Sequence, residues 1–64
     1  MVKINGNETD AAGRTVDDYL AHAGFNPVRV VVELNGDIVP KTAYSKTTLR
    51  DGDAVEIVCF MGGG

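Results

Sequence analysis

The sequence predicts an α+β fold with one helix packed across a mixed sheet, in the order β-β-α-β-β-β. Three observations carry that expectation. Apolar residues alternate with polar ones near both ends of the chain, at Val2 and Ile4 and again at Val55 and Ile57, which is the period of a half-buried strand. Between these ends, "TVDDYLAHAG" has the spacing and caps of a helix. In "VVVELNGDIVP", an Asn-Gly pair separates two β-branched runs, a strong local hairpin signal. A chain of 64 residues is long enough to pack one helix layer on one sheet and too short for a further layer.

The elements follow in order, with Gly6, Gly13, Gly24, Gly36 and Gly52 falling between them as breaks. "MVKIN" puts Val2 and Ile4 on one face of a first strand and Lys3 and Asn5 on the other. "NGN" supplies a tight turn into "ETDAA", a second strand of poor composition in which Thr9 is the one β-branched residue. In the helix, Thr15 caps the first turn, Asp17 and Asp18 favour the positive end of the dipole, and Gly24 ends it. Val16, Tyr19, Leu20 and Ala23 share the core-facing side. After Phe25 and the break at Pro27 come "VRVVVELN", the "NGD" turn and "DIVP", closed by Pro40, which has no N–H for a ladder. "KTAYSKTTLR" is an irregular connection anchored by Leu49, and "DGD" turns the chain into the last strand, "AVEIVCFM". With the first and last strands parallel at the sheet centre, this is the β-grasp, or ubiquitin-like, architecture. The last strand's apolar set, Val55, Ile57, Cys59 and Met61, faces the core, because burying large aliphatic side chains at about 1.5–3 kcal/mol each is what offsets ordering entropy in so small a domain. Residues 1–61 are expected to form the single domain and 62–64 a flexible glycine tail.

Composition narrows the function classes. A hydrophobic share of 44% and a charged share of 23% are those of an ordinary folded domain. The net charge of -3 leaves no basic stripe to neutralise phosphates, so nucleic acid is not an expected partner. No apolar run approaches a membrane span and no signal-peptide pattern opens the chain, so a cytoplasmic protein without a membrane partner is expected. One cysteine and one histidine are too few for a structural zinc site, and no metal is expected.

No catalytic constellation emerges. Cys59 is expected to pack as a small hydrophobe, His22 to be solvated, and the pairs Asp17/Asp18 and Asp51/Asp53 to serve a helix start and a turn. The opposite face of the last strand is more informative: Val58 and Phe60, joined by Val31 of the neighbouring strand, form an apolar patch on a side of the sheet that the helix leaves bare, a candidate docking site. Next to it stand Gly62, Gly63 and Gly64. Three extended residues reach about 10 Å, and without Cβ atoms they fit a channel barely wider than a backbone. A terminal carboxylate so delivered is a poor electrophile until a nucleotide-dependent partner activates it as an acyl-adenylate, after which a nucleophile can displace AMP.

Taken together, "ELNGDIVPKTAY" followed by "LRDGDAVEIVCFMGGG", with "GRTVDDYL" opening the helix, resembles the ThiS family of small sulfur carrier proteins of thiamine thiazole biosynthesis. The resemblance implies that the chain is no enzyme and binds no cofactor of its own. It implies that Gly64 is adenylated by a ThiF-type enzyme using ATP, receives sulfur from a cysteine desulfurase or other sulfur donor as a thiocarboxylate, and passes it to a ThiG-type thiazole synthase. Gly63 and Gly64 match the family's terminal Gly-Gly, and Phe60 and Met61 match the hydrophobic approach to it, which adds Met61 to Val31, Val58 and Phe60 as partner-binding residues. Two alternatives stay open: a MoaD-like carrier serving molybdopterin or another sulfur-containing metabolite, and a ubiquitin-like modifier or interaction module.

Overall fold

Two Asn-Gly turns organise the sheet. Asn5 and Asn35 take left-handed backbone, each at φ 51, followed by Gly6 at φ 86 and Gly36 at φ 89. Positive φ at both central residues is the type I′ requirement, and its twist matches that of the flanking strands. The computed structural model describes residues 1–60. The first turn joins β1 (Val2–Ile4) to β2 (Asn7–Thr9), and the second joins β3 (Val30–Leu34) to β4 (Asp37–Val39). Strand β5 (Ala54–Cys59) lies between the hairpins in a sheet of order β2-β1-β5-β3-β4. It runs parallel to β1 and antiparallel to β3, so the central parallel pairing that the β-grasp demands is present.

Both turn asparagines also hold β5. The Asn5 carboxamide accepts the Ile57 N–H at 2.7 Å and donates to the Ile57 carbonyl at 3.3 Å. At the other end of the strand, Asn35 accepts the Ala54 N–H at 2.9 Å and donates to Asp53 at 3.1 Å. Beyond the short parallel ladder, a side chain thus does the work of an absent strand residue. The poor composition of the second strand is met by a local bond: the Thr9 hydroxyl donates to the Val2 carbonyl at 2.8 Å, tying β2 to its neighbour.

Helix α1 (Val16–Ala23) has the anticipated caps. The Thr15 hydroxyl accepts the Asp18 N–H at 3.1 Å, and Gly24 at φ 85 lets the Gly24 and Phe25 amides turn back to the Ala21 and Leu20 carbonyls. Its inward line is narrower than expected. Val16 and Leu20 are buried and Tyr19 half-buried, whereas Ala23, the last residue of the helix, is exposed beside the cap.

The core joins Val2 and Ile4 of β1, Val30 and Val32 of β3, Val39 of β4, Val55 and Ile57 of β5 and the two helix residues to Ala11, Tyr44 and Leu49 from the connections. Leu49 is the anchor anticipated from sequence, and Tyr44 is a second one. Lys41, at the start of the short 3-10 turn Lys41–Ala43, caps that region by donating to the Pro27 and Val30 carbonyls at 2.8 and 2.7 Å, with its ammonium 5.6 Å from the centre of the Tyr44 ring.

Burial pushes the Tyr44 phenol above its ordinary value, against a smaller lowering by a hydrogen bond with the Val32 backbone. The folded state therefore holds the proton more tightly than the unfolded chain. The resulting stabilisation is complete below the unfolded value of about 10 and is lost as pH rises through the folded one. Thermal melts at stepped alkaline pH should fall more steeply above about pH 10 for the wild type than for Tyr44→Phe.

Candidate functional site

Strand alternation divides β5 into two faces. Val55 and Ile57 point inward and are buried, while Glu56 and Val58 point to the side of the sheet away from α1, as does Phe60 just beyond the strand. The β3 ladder sets Val31 directly opposite Val58 and Glu33 opposite Glu56. The β4 ladder then places Ile38 next to Glu33. Val58 and Phe60 are each 54% exposed and Ile38 67%, with Val31 half-buried between them. The structure therefore brings Val31, Val58 and Phe60 to one uncovered face and adds Ile38, whose part in the patch depends on the hairpin register. The Asn-Gly turn is the signal from which that register can be counted.

The patch lies where the described chain ends. The Phe60 N–H donates to the Arg29 carbonyl at 2.8 Å, which continues the β3 pairing one step past the strand. The other candidates, Met61, Gly62, Gly63 and Gly64, lie outside the described residues.

Cys59 requires a correction. It shares the inward parity of Val55 and Ile57 yet is exposed. The reason is strand length: the β1 ladder reaches only Ala54 and Val55, the Asn5 carboxamide takes Ile57, and at Cys59 the pairing among the described residues is with β3 alone. The inward face of β5 has outrun the layer that would cover it.

His22 is exposed in the last turn of α1. Asp51 pairs with the N-terminal ammonium, and Asp53 accepts from the Asn35 side chain and the Arg50 amide, so these carboxylates serve the turn before β5. Among the described residues no group of three His, Cys, Asp or Glu side chains is arranged to hold a metal. Among the described residues, one surface recess of about 360 Å³ lies beside Met1, Lys3, Glu8 and residues 51–54, and another of about 230 Å³ is lined by Asp17, Pro27, Val28, Lys41, Tyr44 and Ser45.

The family model described as "ThiS family" matches residues 2–64. The chain belongs to the ThiS family. Its fold is the ubiquitin-like β-grasp, and a solved structure of a thiamine biosynthesis protein (ThiS) from Geobacter metallireducens superimposes with a TM-score of 0.79 at 39% identity, covering 98% of this chain and 97% of that one. It is 36% identical over 66 aligned positions to the sulfur carrier protein ThiS of Bacillus subtilis, with full coverage of both chains. It is also 45% identical over 62 residues to a thiazole synthase of Paramagnetospirillum magneticum. The chain spans about a fifth of the length of the thiazole synthases it matches, 19% and 20% of two of them. No helix among the described residues is long and apolar enough to cross a membrane.

Proposed function

We propose that this ThiS family chain is a sulfur carrier for thiazole formation in thiamine biosynthesis, with the C-terminal carboxylate of Gly64 as its working group. A ThiF-type enzyme adenylates that carboxylate: the carboxylate oxygen attacks the α-phosphate of ATP and pyrophosphate leaves. A persulfide supplied by a cysteine desulfurase or another donor attacks the acyl carbon and AMP leaves; a thiol then attacks the outer sulfur of the acyl disulfide so formed and departs as a disulfide, and the resulting thiocarboxylate delivers sulfur to a ThiG-type thiazole synthase. The chain itself supplies no catalytic side chain. Its part is to be recognised through Val31, Val58, Phe60 and Met61 and to deliver Gly62, Gly63 and Gly64 into partner sites.

The observation that carries this reading is the end-to-end match to a protein named as a sulfur carrier, combined with a family match that extends through residue 64. The similarity to thiazole synthases supports the choice of pathway. Incubation with ATP, a ThiF-type enzyme and a sulfur donor should add the mass of one oxygen-to-sulfur exchange, read by intact-mass spectrometry. An unchanged mass with a competent cognate enzyme overturns the reading.

Phe60→Ala tests the docking part alone. With half its surface in solvent, Phe60 contributes little to the fold, and the melting midpoint should change by no more than about 0.5 kcal/mol equivalent. Affinity for the activating enzyme should fall about tenfold or more, as for an aromatic anchor at an interface. Calorimetric titration alongside a thermal melt separates the two effects, and a large stability loss with unaltered binding would reverse the assignment.

A further inference from the structure

Four asparagines stand in the chain, and two of them precede glycine. An Asn-Gly pair carries latent chemistry: the glycine N–H, with no Cβ to hinder its approach, can attack the carboxamide carbon of the asparagine. The bond from that carbon to the side-chain nitrogen breaks, the nitrogen leaves as ammonia with the backbone proton, and a five-membered succinimide closes. Water then opens the ring at either carbonyl, leaving a carboxylate on a normal or a β-linked (isoaspartyl) backbone. Asn26 is denied this route because Pro27 has no N–H, and at Asn7 the side chain of Glu8 crowds the attacking nitrogen. Asn5 and Asn35 remain.

Turn type does not distinguish the two. Both are exposed, both hold φ 51 in a type I′ turn, and the space about each following glycine is open. Their hydrogen bonds do differ, and the carboxamide must leave those bonds before the ring can close. At Asn5 they are part-buried and both go to Ile57, within β5 and 7% exposed, so release strands an N–H and a carbonyl where water reaches poorly. At Asn35 they are exposed: release frees the N–H of exposed Ala54, the first residue of β5, and the carboxylate of Asp53, and water can satisfy both. Local opening is therefore cheaper at Asn35.

We infer that Asn35 is a site of spontaneous deamidation in the folded protein, that the bonds to Ile57 protect Asn5, and that the carboxylate formed at position 35 works against Asp53 and loosens the start of the central strand. The Asn35 Nδ2 stands 3.1 Å from the Asp53 carboxylate, which also accepts the Arg50 N–H at 2.9 Å. Replacing that donor with an oxygen sets two negative charges against each other where a hydrogen bond was. The β-linked product goes further, because its extra backbone methylene lengthens the two-residue turn that fixes the register of β3 and β4.

The test ages the full chain at mildly alkaline pH, folded and in denaturant, and reads the NH2-to-OH exchange at each asparagine by peptide mass mapping. In denaturant Asn5 and Asn35 should convert at matching rates, well ahead of Asn7, while Asn26 stays unchanged. In the folded protein Asn35 should convert about threefold to tenfold faster than Asn5, the factor that one further net hydrogen bond of protection supplies. A folded protein in which Asn35 stays unchanged, or converts no faster than Asn5, overturns the inference. Asn35→Asp reads the consequence directly. Its melting temperature should fall by about 4 °C or more, and adding Asp53→Asn should restore most of the loss, since the carboxamide at position 53 then donates to the carboxylate at 35 and still accepts the Arg50 N–H. A single variant as stable as the wild type, or a double variant no more stable than the single one, overturns the proposed effect on β5.

Discussion

Leu20→Ala is expected to remove half or more of the stability of the domain. Leu20 is fully buried, midway along the single helix that covers the sheet, and is among the largest side chains with no exposed surface. Truncating a buried leucine costs about 2–5 kcal/mol, the upper part of that range applying where the surroundings cannot collapse into the cavity. Here they have little freedom to do so. The helix is pinned at both ends, by the Thr15 cap and by the Phe25 N–H bonded to the Leu20 carbonyl at 2.9 Å, and the Val16 and Asp17 amides are held by the Thr47 and Tyr44 carbonyls. A chain of 64 residues has a total stability of only about 3–10 kcal/mol. The melting temperature should therefore drop by about 15 °C or more, or the cooperative transition should disappear. Two controls bound the result. Leu20→Met keeps the volume and should cost less than about 1.5 kcal/mol, and His22→Ala, on the exposed side of the same helix, should stay within about 0.5 kcal/mol. A loss below about 1 kcal/mol for Leu20→Ala would mean that the helix face is assigned wrongly.

What could be read from the sequence divides along a physical line. Strand and helix identity, the Asn-Gly hairpin, the Thr15 and Gly24 caps and the inward set Val55 and Ile57 are consequences of local period and turn chemistry, and all of these are present in the structure. Three features were not legible, each because burial depends on what lies across the sheet. Cys59 continues the inward parity, but β1 is too short to reach it. Tyr44 sits in a segment with no strand or helix period, and it is buried as part of the core cluster, with the Lys41 ammonium 5.6 Å from its ring centre. The second role of Asn5 and Asn35 was hidden by their first: a residue that fits a type I′ turn needs no further explanation at the sequence level, and only the register shows their carboxamides clamping β5. Of the candidate site, alternation was enough to place Val58 and Phe60 on the bare face and the Asn-Gly turn to count Ile38 opposite Glu33, whereas the opposed Glu33 and Glu56 required the pairing of β3 with β5.

Deleting Gly64 is expected to abolish sulfur loading while leaving the fold intact. Among the described residues the core runs from Val2 to Ile57, and the last hydrogen bond of the β3 pairing is made by Phe60. The melting temperature of the truncated chain should match that of the wild type within about 2 °C, since a stability change below about 0.2 kcal/mol shifts the midpoint by about 1.5 °C at most in a domain of this size. The chemistry should respond very differently. Removing one residue retracts the terminal carboxyl by about 3.3–3.6 Å, whereas displacement at phosphorus requires the reacting atoms within about 3–3.5 Å and in line, and an error of about 1 Å can already cost a hundredfold. Loading, followed by intact mass with ATP, a ThiF-type enzyme and a sulfur donor, should therefore fall by a hundredfold or more. Binding to that enzyme through Val31, Val58 and Phe60 should persist, so that the truncated chain becomes a competitor of the full-length one. Two results would sink this expectation. Loading at the wild-type rate would remove the reactive role from the Gly64 carboxylate, and unfolding on truncation would make the last glycine part of the domain it is proposed only to extend.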